Sequence, residues 1–366
     1  MHPDTYYRLV LSRVPNVGQK LFRQLIDHFG SARDALGADA GALCTLEGIA
    51  EVTAAGFADC SAYEREAEEI LHFADAHDIE LLCCLDEHYP HRLRGVTGIA
   101  PFLYHHGTTD FSNPRSLAIV GTRQMSGPGA RQVDRLLDPL VNFSPLIVSG
   151  LAYGVDAYAH RRCLQIGLPT LAVMGSGFQH VYPAAHARLA RQMADQGGGV
   201  LTAYPHWRKP EREHFPARNR IVAALSDMTV VVESAQQGGS MITARMAHEL
   251  GRPVGACPGR GGDPLSAGCN DLIKRGKAHL VESGEDLTAL LSWKGAAAGR
   301  QRRLFDDLEP DELQLIDELR DREAVEIDQL RLSLQFPPGK LAGLLLGLEM
   351  KGLIAGLPGH RYRLSG

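Results

Sequence analysis

The sequence predicts an α/β protein with a doubly wound, mainly parallel sheet, a small helical N-terminal domain and a C-terminal winged helix. Three observations carry this expectation. From Ser116 onward, short apolar runs ("SLAIV", "PLIVS", "PTLAVM", "MTVVVE", "PVGAC") alternate with stretches of helical periodicity. The first eighty or so residues are helical in pattern only. The last sixty read as three helices and a hairpin. Apolar runs without polar alternation suit strands covered on both faces, and intervening helices permit parallel pairing.

Along the chain, residues 1–80 hold "RLVLSRVPNVGQKLFRQLIDHFGSARDAL", a helix, a "PNVG" turn and a second helix, and "LCTLEGIAEVTAAGF" repeats the design more weakly. Such a unit suits a SAM-like or helix-hairpin-helix domain whose turn N–H groups hold a DNA phosphate. It suits a plain helical packing module equally well. Residues 81–111 read as short strands with Pro and Gly turns, leading into a sheet domain over 81–293 that "AHLVES" closes. "KGAAAGRQRR" (294–303) reads as a linker. Over 304–366, "DELQLIDELRD", "EIDQLRLSL", "PPGKLAGLLLGLEMKG" and the hairpin "LIAGLPGHRYRL" make a winged helix.

Composition narrows the function classes. No apolar run approaches the ~18 residues a membrane span needs, and "MHPDTYYRLVLSRV" offers no leader pattern, so a cytoplasmic protein is expected. Seven cysteines never form Cys-x-x-Cys and read as reduced core thiols. Sixteen histidines show no metal-ligand spacing, so neither a metal nor another cofactor is expected. The net charge of −5 sits wholly in residues 305–366, with seven basic and twelve acidic residues, so the rest of the chain is neutral. A neutral body can still carry a basic groove.

Several strands end in small-residue turns: "GTR", "SGLAYG", "GSG" and "SAQQGGS". Ligands of open α/β sheets bind at the carboxyl ends of strands, and a glycine turn opening a helix is an anion site. The first turn, "GTRQMSGPG", is not a dinucleotide fingerprint, because Arg123 occupies the place of the second glycine. An arginine there suits a bidentate grip on phosphate, or a structural cap or ion pair. No Walker A sequence occurs. "HFPARNRIVAAL" adds Arg218 and Arg220 around Asn219, either on a shared polyanion path or as an acid-paired scaffold. Asp156 and His160, four residues apart, allow acid–base chemistry, with a helix-start Asp and a satisfied core His as the plainer reading. "GSG" at 175–177 lacks the spacing of a nucleophile elbow.

In order, "VGTRQMSGPG", "VSGLAYGVDAYAH", "TLAVMGSGFQHVYP", "HFPARNRIVAALSDMTVVVESAQQGGSMITA" and "HELGRPVGACPG" resemble the blocks of the DNA-processing protein A (DprA/Smf) family, densely over about residues 100–290. The resemblance implies an extended Rossmann-like core that binds single-stranded DNA. It also implies a homodimer that loads the RecA recombinase onto incoming DNA in natural transformation, without catalysis. Other competence or single-strand-binding proteins are further partners on this expectation. Carried over by position, Gly121, Thr122, Arg123, Ser126, Ser149, Gly150, Gly175, Arg218, Asn219, Arg220, Gly239 and Ser240 line the phosphate pocket. Asn270, Leu272 and Leu280 belong to the edge that supplies the dimer contact. One departure stands out: after "YP", where many members carry a basic residue, this chain has Ala184, with His180, Arg188 or Lys209 as candidate substitutes.

The rival reading is a nucleotide-binding enzyme, a phosphoribohydrolase that resembles lysine decarboxylases and carries Gly-Gly-x-Gly-Thr-x-x-Glu. Laid on Gly238 and Gly239, that pattern puts Met241 at the third glycine and Arg245 at the glutamate. The missing carboxylate removes the acid–base group.

Overall fold

The structure, a computed structural model, describes residues 4–293, 310–319, 324–350, 353–357, 359 and 361–364. The chain divides into two compact units, residues 1–295 and 296–366. The linker expected at 294–303 lies outside the described residues.

The first unit opens with six helices: α1 (Thr5–Arg13), α2 (Gln19–Phe29), α3 (Ala32–Leu36), α4 (Ala40–Leu43), α5 (Glu51–Ala55) and α6 (Ser61–Ala76). Helix α2 buries Phe22 and Leu25 and stops at Gly30 in the left-handed conformation. The Ser31 hydroxyl accepts the Asp34 N–H and starts α3. The buried faces of these helices share one core with the first strands of the sheet, which joins the helical module and the sheet in one body.

The sheet region runs β1 (Glu80–Cys83), β2 (Phe102–Gly107), β3 (Ser116–Val120), α7 (Gly127–Leu137), β4 (Leu146–Ser149), α8 (Val155–Ile166), β5 (Thr170–Met174), α9 (Ala187–Asp195) and β6 (Gly199–Thr202). It continues with α10 (His214–Leu225), β7 (Met228–Val231), α11 (Gly239–Glu249), β8 (Val254–Ala256), α12 (Ala267–Lys274), β9 (His279–Leu280) and α13 (Gly284–Leu290). The nine strands lie in the order β1-β2-β6-β5-β4-β3-β7-β8-β9. From β6 to β9 every pairing is parallel, while β1 with β2 and β2 with β6 are antiparallel. β3 explains the doubly wound form. All five of its residues are buried. Leu117 and Ile119 pack on one face with residues of α7 and α8, and Ala118 and Val120 pack on the other with residues of α10 and α11. The chain runs outward from β3 to β6 on one side and restarts at β7 on the other. The crevice at this reversal, beyond the carboxyl ends of β3 and β7, is where such sheets bind ligands.

The second unit contains α14 (Pro310–Leu319), β10 (Val325–Glu326), α15 (Ile327–Leu334), α16 (Pro338–Met350), β11 (Ile354–Leu357) and β12 (Arg361–Leu364). Its strands form an antiparallel sheet in the order β10-β12-β11, and Leu315, Ile316, Leu330, Leu341, Leu345 and Leu348 form its core. Three helices and a wing are the expected winged helix.

One polar tie fixes the β1–β2 segment against the sheet. The Arg92 Nε donates to Asp227 Oδ1 at 3.0 Å and Nη2 to Oδ2 at 3.3 Å. The same guanidinium holds the Asn113 and Pro114 carbonyls, and Asp227 Oδ2 also accepts the Ser116 N–H at 2.9 Å. Cutting a largely buried pair strands its partner, at about 3–5 kcal/mol. Arg92→Met is expected to lower the unfolding free energy by about 3 kcal/mol, read as an earlier urea midpoint with an unchanged slope.

Candidate nucleic-acid interface

A cleft of about 430 Å³ opens at the reversal point of the sheet. The turn after β3 supplies Gly121, Thr122 and Arg123, and the turn after β4 supplies Gly150. Helix α10 supplies Arg218 and Asn219 from its second turn, and the first turn of α11 supplies Gly239 and Ser240. These eight are the site residues the sequence brings together.

Each turn is held from behind. The Thr122 N–H donates to the Glu233 carbonyl at 2.7 Å, and the Thr122 carbonyl accepts the Val155 N–H at 3.2 Å. Gly154, at φ +75°, must be glycine, because a Cβ there would strike the Thr122 carbonyl. Glu233, at the end of the β7 segment, is buried. Its carboxylate accepts the Ser126 N–H at 3.0 Å and the Ser126 hydroxyl. The Ser126 oxygen in turn accepts the Gly129 N–H at 3.0 Å. The start of α7 is therefore capped within the protein. Helix α11 differs: its N-cap is Gly238, which brings no capping side chain. The Ser240 hydroxyl bonds Ser234 at 2.8 Å beneath the turn. The first-turn amides of α11 lie in the cleft wall, where the positive end of a helix favours an anion.

The floor is built on two buried charged groups, Arg218 and Asp156. Arg218, 5% exposed, sends Nη1 to the Val173 carbonyl at 2.6 Å and to the Gly150 carbonyl, which ties the ends of β4 and β5 together. Its Nε has no protein partner among the described residues. Asp156, also buried, accepts the Gly150 N–H at 3.2 Å and the Ala152 N–H at 3.3 Å. Burial pushes the Asp156 carboxyl above the ordinary carboxylate range, against the pull of Arg218 and its hydrogen bonds. Burial likewise lowers Arg218, against the pull of Asp156. Gly150 is required between them, since a Cβ would meet the Arg218 guanidinium and Asp156 Oδ2. His160, the other half of the acid–base spacing, points elsewhere. Its Nδ1 lies 2.7 Å from Thr170 Oγ1, and burial pushes its pKa down to about 3. Asp156 and His160 are separate scaffold groups.

The remaining expected site residues fall outside the cleft lining. Ser126 caps α7. Ser149 is fully buried, its hydroxyl on the Ile119 carbonyl at 2.6 Å. Gly175 lines a narrow neck beside the cleft. Arg220 turns away: its Nε donates to the Thr97 carbonyl at 2.7 Å, and Nη1 meets Glu249 at 3.4 Å. It is the acid-paired scaffold arginine that the spacing allowed. The structure adds residues the sequence reading did not single out, among them Arg212 in the cleft, Tyr153 and Tyr182 in the neck, and Phe215 in both. All four lie in or beside the glycine and arginine motifs, so proximity to those motifs was the available signal.

Through this neck the cleft meets a larger pocket of about 840 Å³, which Tyr153 and Tyr182 also line. Phe178 and His106 wall it from the sheet side, and Phe73 and His77 wall it from α6. Of the candidate substitutes for the missing basic residue at Ala184, His180 lines this pocket, whereas Arg188 and Lys209 do not. Arg191, on α9, supplies a cation to it.

At the sheet edge, the Asn270 amide is engaged with the Gly259 backbone in both directions, at 3.1 and 3.0 Å. Leu272 is buried in the core. Of the three edge residues, only Leu280 presents its side chain outward, 48% exposed on β9. Packing inside the chain accounts for Leu272, and a loop tie for Asn270.

Residues 80–292 match the family model described as DNA recombination-mediator protein A. Residues 301–360 match a DprA winged helix domain and residues 3–66 a DprA-like N-terminal HHH domain. Protein Smf of Escherichia coli is 34% identical over 316 residues, covering 82% of this chain and 84% of that protein. The X-ray structure of DNA processing protein A from Streptococcus pneumoniae superposes with a TM-score of 0.62 at 32% identity, over 79% of this chain and 98% of that one. A Helicobacter pylori DNA processing protein A structure, described for its single-stranded DNA binding mode, gives a TM-score of 0.52 at 27% identity, over 59% of this chain and 97% of that one. Because the family model spans more than half of the chain and the segments on either side of it match DprA domain models as well, the chain belongs to the DNA recombination-mediator protein A (DprA/Smf) family.

Proposed function

We propose that the protein holds single-stranded DNA in the strand-end cleft and, as a homodimer, delivers it to the RecA recombinase, binding without catalysis. The observation that carries this reading is the junction of two environments. The cationic, amide-lined cleft suits a backbone phosphate. The aromatic pocket reached through the neck suits an unpaired base, which a duplex does not offer. The Arg218 Nε donor adds to the anion-binding character of the floor. Among the described residues, Asp156 is the one carboxylate in the cleft lining, and its hydrogen bonds serve the backbone of its own loop. The phosphoribohydrolase pattern uses a glutamate toward its substrate, and the cleft lining offers no carboxylate in that role, so this arrangement favours binding over that chemistry. The single-strand binding described for the Helicobacter pylori protein supports the same substrate class. RecA and other competence or single-strand-binding proteins enter as partners through the family.

Oligo-dT is expected to bind more tightly than duplex of the same length. Its affinity should fall with salt at a log–log slope of about −0.7 per phosphate contacted. Arg123→Ala should cost about 1–3 kcal/mol of that affinity by mobility shift or fluorescence anisotropy. Unchanged binding by the folded variant would remove the cleft from the mechanism. A nucleotide-hydrolysis assay run beside it tests the enzymatic alternative.

The winged helix is not the main DNA anchor on this reading. In α16, Lys340 is paired to Asp311 at 2.5 Å, and Leu346 stands 61% exposed. A helix with its cation neutralised and leucine on its surface suits a protein partner better than a phosphate backbone. Removing residues 304–366 should therefore change oligo-dT affinity by less than about tenfold (~1.4 kcal/mol).

For the dimer, β9 is the support. It pairs with β8 on one side, and its exposed Leu280 marks an edge that a symmetric partner would cover. Leu280→Glu is expected to give monomers by light scattering that still bind short oligonucleotides and load RecA poorly. A dimer unchanged by this substitution would place the interface elsewhere.

A further inference from the structure

We propose that Phe215 is a positioning residue for the phosphate contact: its aromatic face, rather than its bulk, sets the Arg123 guanidinium at the neck between the cleft and the aromatic pocket. This rests on the reading that the cleft holds single-stranded DNA.

Arg123 is exposed, and no described carboxylate pairs with it. A free arginine side chain has wide rotamer freedom, which a phosphate site must remove before it binds tightly. The structure supplies one fixed object for it to lie against. The Arg123 Cζ stands 5.8 Å from the centre of the Phe215 ring, and the Arg218 Cζ stands 6.0 Å from the same centre. Both separations are within reach of a cation–π attraction. The ring thus lies beside two like charges, and the presence of Arg123 itself disfavours the charge on Arg218. The negative face of an aromatic ring is the one apolar surface that offsets such crowding.

The ring is itself immobilised from three directions. Gly175 backs it, a Cβ built there lying 3.4 Å from the Phe215 Cδ1. The Tyr182 ring flanks it at 5.7 Å. The preceding His214 is buried, with its Nδ1 3.2 Å from the Gly175 carbonyl and the Tyr204 ring tilted over it at 4.0 Å. The end of β5 therefore fixes Phe215, and Phe215 in turn carries that position to an arginine belonging to the end of β3. Leucine would fill most of the same space without offering a face.

The test is a double-mutant cycle on the full-length protein, read by oligo-dT anisotropy at fixed salt. Phe215→Leu should weaken binding roughly three- to tenfold, with the urea midpoint unchanged, and Phe215→Tyr should restore it to within about twofold. In an Arg123→Met background, Phe215→Leu should produce no further loss. Normal binding by Phe215→Leu would overturn the proposal. So would an equal loss in the Arg123→Met background, which would mean that the ring meets DNA directly or acts through the fold. Failure of the unmodified protein to bind oligo-dT at all would overturn the reading of the cleft, and this proposal with it.

Discussion

The burial of two opposite charges, Arg218 and Asp156, on either side of Gly150 is the constraint on which the rest of the cleft depends. Desolvating two charges costs several kcal/mol each, and their attraction repays this only when further hydrogen bonds complete the set. Here the guanidinium reaches the carbonyls at the ends of β4 and β5, and the carboxylate takes the Gly150 and Ala152 amides. Two strand ends, the start of α8 and the second turn of α10 are thereby brought around one point. Gly150 follows as a necessity, since no side chain fits where the guanidinium passes. The positive lining of the cleft is thus partly a by-product of what holds the cleft open.

Division of labour among the arginines follows from the same geometry. Arg218 is a floor, Arg92 and Arg220 are ties to other segments, and Arg123 and Arg212 remain at the cleft surface. A body of zero net charge reaches a local excess of positive charge because the acids that neutralise it lie elsewhere. Glu249 holds Arg220 away from the cleft, and Glu233 is spent on the cap of α7. Net charge summed over a domain says little about such a surface.

The sheet was legible because its code is local. Unbroken apolar runs such as Ser116–Val120 and Thr170–Met174 become strands buried on both faces, and the small-residue turn after each run lands at the carboxyl edge. The cleft residues Gly121, Thr122, Arg123, Gly150, Gly239 and Ser240 were legible for that reason, and Asn219 from the arginine-flanked run that precedes β7. What the sequence withheld was direction. Arg218 and Arg220 are two residues apart on a helix and so point about 200° apart around its axis. No spacing rule says which of them faces the cleft. Ser126 and Ser149 sit in the right turns with their hydroxyls turned inward, because backbone acceptors and a buried carboxylate outcompete solvent for them. Leu272 and Leu280 read alike as apolar residues near an edge, and only the packing separates core from surface.

The aromatic pocket shows why Ala184 need not mean weak binding. A basic side chain at that position would place a charge at the pocket's mouth. In this chain Ala184, Ala185 and Ala187 leave the wall low, while Arg191 and His180 approach the same volume from α9 and from the turn after β5. Beyond these small residues Arg191 reaches the pocket with a long stem that can lie along the apolar wall. Stacking is sequence-tolerant, because every base has a π face, whereas a fixed cation favours the phosphate alone. On the proposed reading, the aromatic lining supports base stacking, and Arg191 and His180 bring charge to a pocket where Ala184 brings none.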